Sequence, residues 1–241
     1  MAAPYERIAS CFAEDLPMHP GGFALTDRAM ELCKLPPEAL VLDVGCGTGG
    51  TVQRLMSRYG FRAFGADPSF LLLQKGRTGS APRTVVRALG EDLPFYASVW
   101  DCVLAECSLS VAKDPAGVLR ECRRLLKEGG RLVLSDLYLR NPAGIADRRR
   151  LVSGCCLRGA LPRDDLLDRL ETFGFHVLVW EDHSTALKHY AARLLFSCGS
   201  VEEFRELFCA GGAEADGKEF RRTMTSAKPG YFLLVAEKRG E

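Results

Sequence analysis

Short apolar runs alternate with amphipathic stretches along most of the chain. Ala39–Val44 is apolar except for Asp43 and stops at a glycine cluster, which predicts a buried strand. Val52–Tyr59 reads as a helix with Val52, Leu55, Met56 and Tyr59 on one face. Phe61–Ala66 reads as a second strand, Ser69–Gly76 as a short helix, Thr84–Ala88 as a third strand and Trp100–Ala105 as a fourth. Pro115–Leu126 has strong helix signals. Asp114 stands at the N-cap position, Pro115 suits the first turn, and Val118, Leu119, Cys122, Leu125 and Leu126 recur at helical spacing before Gly129-Gly130. Arg131–Asp136 reads as a fifth strand. Such strand–helix–strand repetition predicts an α/β fold, a doubly wound, mostly parallel sheet covered on both faces.

The later chain departs from this rhythm. Arg163–Thr172 reads as a helix, Phe175–Trp180 as a sixth strand, Ser184–Phe196 and Val201–Cys209 as helices, and Tyr231–Ala236 as a seventh strand. Gly211–Lys218 reads as a loop, and a further helix is expected to begin near Thr26. The pattern predicts a single domain over residues 1–241. Residues 1–38 form an N-terminal arm and helix, 39–136 a ligand-binding core, and 137–241 a substrate-side segment with a helical insertion between strands six and seven.

Composition narrows the function classes. The 241 residues are 47% hydrophobic, enough for one substantial core. With 32 Lys plus Arg against 31 Asp plus Glu, the charge of +1 gives no electrostatic reason to expect nucleic acid or a membrane surface as partner. Arg148–Arg150 and Arg123-Arg124 read as solvated faces. No apolar run approaches the roughly 20 residues of a spanning helix. Met1–Asp15 mixes charges with apolar residues and has no signal-peptide core, so a cytoplasmic location with reduced thiols is expected for the ten cysteines. Cys46 and Cys102 read as packing residues. Adjacent Cys155 and Cys156 are poorly placed to bridge each other. No metal site is expected.

The candidate chemistry begins at Asp43-Val-Gly45-Cys46-Gly47-Thr48-Gly49-Gly50, between a strand and a helix. Glycines let backbone approach a ligand, and the helix start presents free N–H groups. Asp67 ends the next strand, 20 residues after Gly47, a spacing suited to a carboxylate on two ribose hydroxyls. A nucleoside or nucleotide is therefore expected at the carboxyl ends of the strands. Gly45, Gly47 and Gly50 also satisfy the dinucleotide fingerprint, so an NAD(P)-dependent oxidoreductase stays open at this point. Asp43, two residues before the first glycine, instead favours S-adenosylmethionine, whose amino group a carboxylate there would meet.

Four segments carry a family resemblance: Val41–Gly50, Gly65-Ala-Asp67, Gly90-Glu-Asp-Leu-Pro-Phe95 and Leu125–Asp136. With them the chain resembles a class I S-adenosylmethionine-dependent methyltransferase. The resemblance implies a seven-stranded Rossmann-like sheet of order 3-2-1-4-5-7-6 with an antiparallel last strand. It implies that Asp43, Gly45 and Gly47 hold the methionine portion, that Asp67 holds the ribose, and that Pro68, Gly90 and Glu91 flank the adenine; Cys46, Thr48 and Glu106 are further expected cofactor contacts. Leu89 departs from the pattern, because relatives carry an acidic residue there for the adenine amino group. Either Glu91 or backbone groups must replace it.

A small-molecule acceptor is expected, and two kinds of chemistry are open. Ser153-Gly-Cys-Cys-Leu-Arg-Gly-Ala-Leu-Pro162 is similar to a segment of arsenite methyltransferases, which implies that Cys107 and Cys156 bind trivalent arsenic, with soft thiolates on a soft centre. Cys11 would join them only if the N-terminal arm folds over the site. A nitrogen or oxygen acceptor wants a base, for which Glu106, His183, His189 and Tyr5 are candidates. Glu106 has the alternative role of orienting the cofactor, and the two histidines that of exposed helix surface. His19-Pro-Gly-Gly22 reads as a tight turn near the methyl group. A protein that binds the cofactor without catalysis is the remaining alternative.

Overall fold

The computed structural model describes residues 4–10, 18–78, 84–141, 143, 155–198, 200–206, 222 and 225–240. Cys11, Arg148–Arg150 and the loop at Gly211–Lys218 lie outside them. The helices are α1 (Pro4–Ser10), α2 (Gly22–Cys33), α3 (Gly50–Tyr59), α4 (Phe70–Thr78), α5 (Pro115–Leu125), α6 (Cys156–Gly159), α7 (Arg163–Thr172), α8 (Ser184–Cys198) and α9 (Val201–Glu206). The strands are β1 (Leu40–Val44), β2 (Arg62–Asp67), β3 (Val85–Arg87), β4 (Trp100–Glu106), β5 (Leu126–Leu139), β6 (Leu161–Pro162), β7 (Phe175–Asp182) and β8 (Pro229–Lys238).

The sheet runs β3-β2-β1-β4-β5-β8-β7, the expected order once the short β6 is set aside. β1 pairs in parallel with β2 and β4, and β8 runs antiparallel to both β5 and β7. The period-two alternation of strands divides two cores. Val41, Cys102, Leu104, Val133, Leu233 and Val235 face the cluster that includes Leu25, Ala29 and Met30 of α2 and Val52 and Leu55 of α3. Their neighbours Leu42, Val103, Leu132, Leu134, Leu234 and Ala236 face the cluster with Val118 and Leu119 of α5 and Leu166 and Leu170 of α7. Helices α8 and α9 interrupt the β7–β8 connection, as the sequence pattern predicted. Among the described residues no helix is long and apolar enough to cross a membrane.

Several expectations need correcting. The sheet has an eighth strand, β6, because Leu161 and Pro162 pair with Tyr138 and Leu139 beyond the predicted end of the fifth strand. That strand starts at Leu126 and ends at Leu139, since β8 pairs along it as far as Pro229. Helix α2 starts at Gly22, four residues before Thr26, where the Gly22 N–H closes a turn on His19 O at 3.2 Å. Met56 is exposed, and Thr51 takes the inward position beside Val52 and Leu55. Asp114 precedes α5, but its carboxylate pairs with Arg120 at 3.0 Å and makes no cap bond.

The link between β5 and α7 comes back against the link after β4. Gly159 of α6 lies so close to it that a Cβ there would sit 1.8 Å from Ser110 O. Ser110 is itself fixed, its N–H and hydroxyl both donating to the Asp136 carboxylate, at 2.9 and 2.6 Å. Gly159→Ala is therefore expected to lower unfolding free energy by roughly 1–3 kcal/mol, the usual range for overpacking. Urea denaturation measures this, and an unchanged midpoint would show that the two links are not held in contact.

Candidate active site

Strand β1 ends at Val44, and the chain turns at once into the glycine loop. The backbone at Gly45 is left-handed, with φ 84, and a Cβ would meet Ser108 Cβ at 2.4 Å. Only glycine suits both constraints. The turn aims the start of α3 at the carboxyl edge of β1, β2 and β4. There a cavity of about 690 Å³ opens. Asp43, Gly45, Cys46, Gly47, Thr48, Asp67, Pro68, Gly90, Glu91 and Glu106 all line it, so every residue expected at the cofactor shares one space.

Three carboxylates define one part of this cavity. Asp43 is fully buried, and burial followed by the neighbouring Glu106 and Asp67 charges pushes its carboxyl well above the usual range. Asp67 accepts from the Gly47 N–H and the Ser69 N–H, both at 2.8 Å. Burial raises its carboxyl too, and these two bonds oppose the rise. Glu106 ends β4 with its side chain 6% exposed. Its Oε1 accepts from Thr26 Oγ1 of α2 at 2.9 Å, and its Oε2 from Thr51 Oγ1 of α3 at 3.0 Å. Among the described residues, no lysine or arginine hydrogen-bonds any of the three. Such uncompensated burial is costly without a cationic partner.

Leu89 is half exposed at the rim, and the Asp92 N–H donates to its carbonyl at 3.1 Å, which turns Gly90 and Glu91 toward the cavity.

The predicted thiols also converge here. Cys107, Cys155 and Cys156 line the cavity. Cys107 has left-handed backbone, φ 52, which costs about 1 kcal/mol for a non-glycine residue. Its N–H donates to Ser135 O at 2.7 Å. Its sulfur lies 3.2 Å from Tyr231 Oη, which in turn donates to Ser135 Oγ at 3.2 Å. Burial, then the Asp136 charge, pushes the Cys107 thiol up. Cys156 is also held protonated, first by its bond with Cys155 and then by burial. The same contact lowers the Cys155 thiol. Cys46 is buried among the Asp43 and Asp67 charges and its thiol is pushed up, consistent with packing. Cys102 is fully buried in the core, as expected.

Of the base candidates, Tyr5 and Glu106 line the cavity and the two histidines do not. His183 sits before α8 and lies 3.1 Å from Glu181 Oε2; it is half-buried, not on an exposed helix face. His189 is exposed on α8, as expected.

The residues not singled out are Thr26, Thr51, Cys155, Tyr190 and the His19 side chain. The cavity wall includes Met18, His19, Pro20 and Phe23, and Tyr190 Oη of α8 donates to Met18 O at 2.7 Å. Helix α1 closes another side. Ser69 Oγ donates to Glu6 Oε1 at 2.7 Å, and Lys75 Nζ to Ala9 O at 3.0 Å. The His-Pro-Gly-Gly turn was the one visible signal for His19.

Residues 42–134 match the methyltransferase domain family. The uncharacterized methyltransferase YodH of Bacillus subtilis is 31% identical over 56% of this chain and 58% of its own length. The sarcosine/dimethylglycine N-methyltransferase of Halorhodospira halochloris is 28% identical over 65% of this chain and 59% of its own. The chain thus spans less than two thirds of the length of these curated relatives. A phosphoethanolamine N-methyltransferase of Haemonchus contortus, solved with S-adenosyl-L-methionine, superimposes with TM-score 0.68 at 16% identity, covering 98% of this chain and 56% of that one. The glycine loop and the carboxylates Asp43, Asp67 and Glu106 all fall within residues 42–134, the segment that matches the methyltransferase domain family.

Proposed function

We propose that the protein transfers a methyl group from S-adenosylmethionine to a small-molecule acceptor. The observation that carries this reading is the set of three buried carboxylates, Asp43, Asp67 and Glu106, around a glycine loop without a bonded basic side chain. A ligand with ammonium and sulfonium charges suits that end of the cavity, whereas a pyrophosphate would add negative charge to it. When bound, the cofactor supplies an electrophilic methyl group on positively charged sulfur.

The chain's own residues then have distinct roles. Asp43 and Glu106 face the cationic methionine portion, with Gly45, Cys46, Gly47 and Thr48 as the backbone floor. The Asp67 oxygens each spend one lone pair on a backbone N–H and keep others for ribose hydroxyls. Pro68, Gly90 and Glu91 flank the adenine, and backbone groups read its edge in place of an acidic side chain at Leu89. Elsewhere Ile8, Leu157, Leu187, Tyr190, Leu194 and Phe204 line an apolar acceptor lobe. Excluding water there and holding the acceptor in line are what such a transfer most needs. The small acceptors named for relatives such as the sarcosine/dimethylglycine enzyme support a small molecule.

A second reading, methylation of trivalent arsenic, is favoured by one observation: Cys107 and Cys156 reach the same cavity from links that are far apart in sequence. Both are protonated when the site is empty, so binding a metalloid hydroxide would release their protons as water. For a nitrogen or oxygen acceptor, Tyr5 and Glu106 are the expected bases that line the cavity.

Transfer of labelled methyl from S-adenosylmethionine across a panel of amines, phenols, thiols and arsenite tests the proposal. Labelled product is expected for one class, and none for any class despite saturable cofactor binding would favour a non-catalytic binder. Asp43→Asn should weaken S-adenosylmethionine by about 10- to 100-fold, the equivalent of one charge-assisted bond of about 1.5–3 kcal/mol. The wild-type affinity should also fall on acidification. The empty site raises the Asp43 carboxyl, while a cation favours its ionised form, so binding releases a proton. Calorimetry in two buffers of different ionisation enthalpy detects that release, and identical heats would refute it. For the metalloid reading, Cys107→Ser and Cys156→Ser should each abolish arsenite binding while keeping cofactor affinity; arsenite binding retained in both would end it.

A further inference from the structure

His19 is a buried histidine on the cavity wall. It is 7% exposed and lines the cavity. Its Nδ1 lies 3.3 Å from Pro20 O, a carbonyl that can only accept, so Nδ1 carries a proton and Nε2 is the nitrogen left to be bare or protonated. Nε2 has no hydrogen-bond partner among the described residues. It lies 3.4 Å from Glu106 Oε2, at ion-pair distance but off hydrogen-bond geometry. An unprotonated nitrogen beside a carboxylate is a repulsive arrangement. One added proton converts it into an ion pair in a medium where such a pair is strong.

The position matters as much as the chemistry. Met18 touches the glycine loop, where a Cβ on Gly47 would meet its Cε at 2.9 Å, and its carbonyl holds Tyr190 of α8. His19 therefore sits where the glycine loop meets the acceptor lobe. Glu106, which it faces, is fixed by hydroxyls from α2 and α3. The other titratable groups on this cavity are Asp43 on β1, Cys46 in the glycine loop, Asp67 on β2, Glu91 after β3, Cys107 after β4, Tyr5 on α1, Lys75 on α4, Lys113 before α5, Cys155 and Cys156 at α6, and Tyr190 on α8.

We propose that His19, acting through Glu106, is the proton store of the methyl transfer: it is neutral while a sulfonium faces the carboxylates and protonated at Nε2 once that charge is gone. The inference rests on the cofactor reading above and on an acceptor that carries an N–H, O–H or S–H. In the step, the acceptor heteroatom uses a lone pair to form its bond to the methyl carbon. The carbon–sulfur bond breaks, and its electron pair stays on sulfur. The acceptor's proton passes to Glu106 Oε2 and on to His19 Nε2. One positive charge disappears from sulfur and one appears on imidazole, so the charge facing the carboxylates is conserved. His19 is thus a positioning residue, because it holds the proton without touching the acceptor.

Nuclear magnetic resonance of the whole protein with 15N-labelled histidine tests this without a known acceptor. The protein is saturated with S-adenosylmethionine or with S-adenosylhomocysteine, and saturation is verified by calorimetry. The four histidines give four ring signals, and His19→Gln identifies one. If that variant does not fold, substitutions at His176, His183 and His189 identify it by elimination. Nε2 is expected to be bare with the sulfonium and protonated with the thioether, with at least a tenfold difference in proton affinity. Glu106→Gln should collapse that difference. An identical His19 protonation state and midpoint in both saturated complexes would overturn the proposal. Failure of either ligand to saturate the protein would instead bring down the cofactor reading, and the proton store with it.

Discussion

Burying three carboxylates at one edge of a sheet is the constraint around which this structure is arranged. Ionised groups in a low-dielectric interior are unfavourable unless paired, and here the fold provides hydrogen bonds but, among the described residues, no bonded cation. Gly47 and Ser69 supply N–H groups to Asp67, and Thr26 and Thr51 supply hydroxyls to Glu106. Asp43 receives only the desolvation and the repulsion of its neighbours. The electrostatic shortfall is the binding specificity. A cation with a neutral sugar and base relieves it, and an anionic dinucleotide does not.

The rest of the molecule holds this edge in place. β1, β2 and β4 are saturated with apolar contacts on both faces, so their carboxyl ends are rigid. The loops leaving those ends can therefore carry strain, as at Gly45 and Cys107. Helix α8, inserted before the last strand, ties its Tyr190 to the turn before α2 and closes one side of the cavity. The Cys155–Gly159 segment reaches the same space because Gly159 permits contact with the link after β4.

Much of this was legible in the sequence, for identifiable reasons. The strands follow from apolar runs, and their order from the family resemblance that the glycine loop and its neighbouring segments carry, whose local chemistry is written in adjacent residues. Cys107 and Cys156 line one cavity because each follows a strand at the same sheet edge. Thr26 and Thr51 were not legible, and of His19 only the turn it opens was. The two hydroxyls meet Glu106 across 80 and 55 residues, and nothing local distinguishes them from ordinary helix threonines. His183 was misjudged because its half-burial depends on Glu181 and on the strand beneath it. The extra strand β6 escaped because two residues carry no periodicity.

The electrostatic account is tested most directly by competition between ligands of opposite charge. Fluorescence or calorimetric titration of the intact protein with S-adenosylmethionine and with reduced nicotinamide dinucleotide, at matched ionic strength, sets the two against each other. Saturable binding of the sulfonium, undisturbed by excess dinucleotide, is the predicted result. Tight dinucleotide binding that displaces the sulfonium would contradict the account.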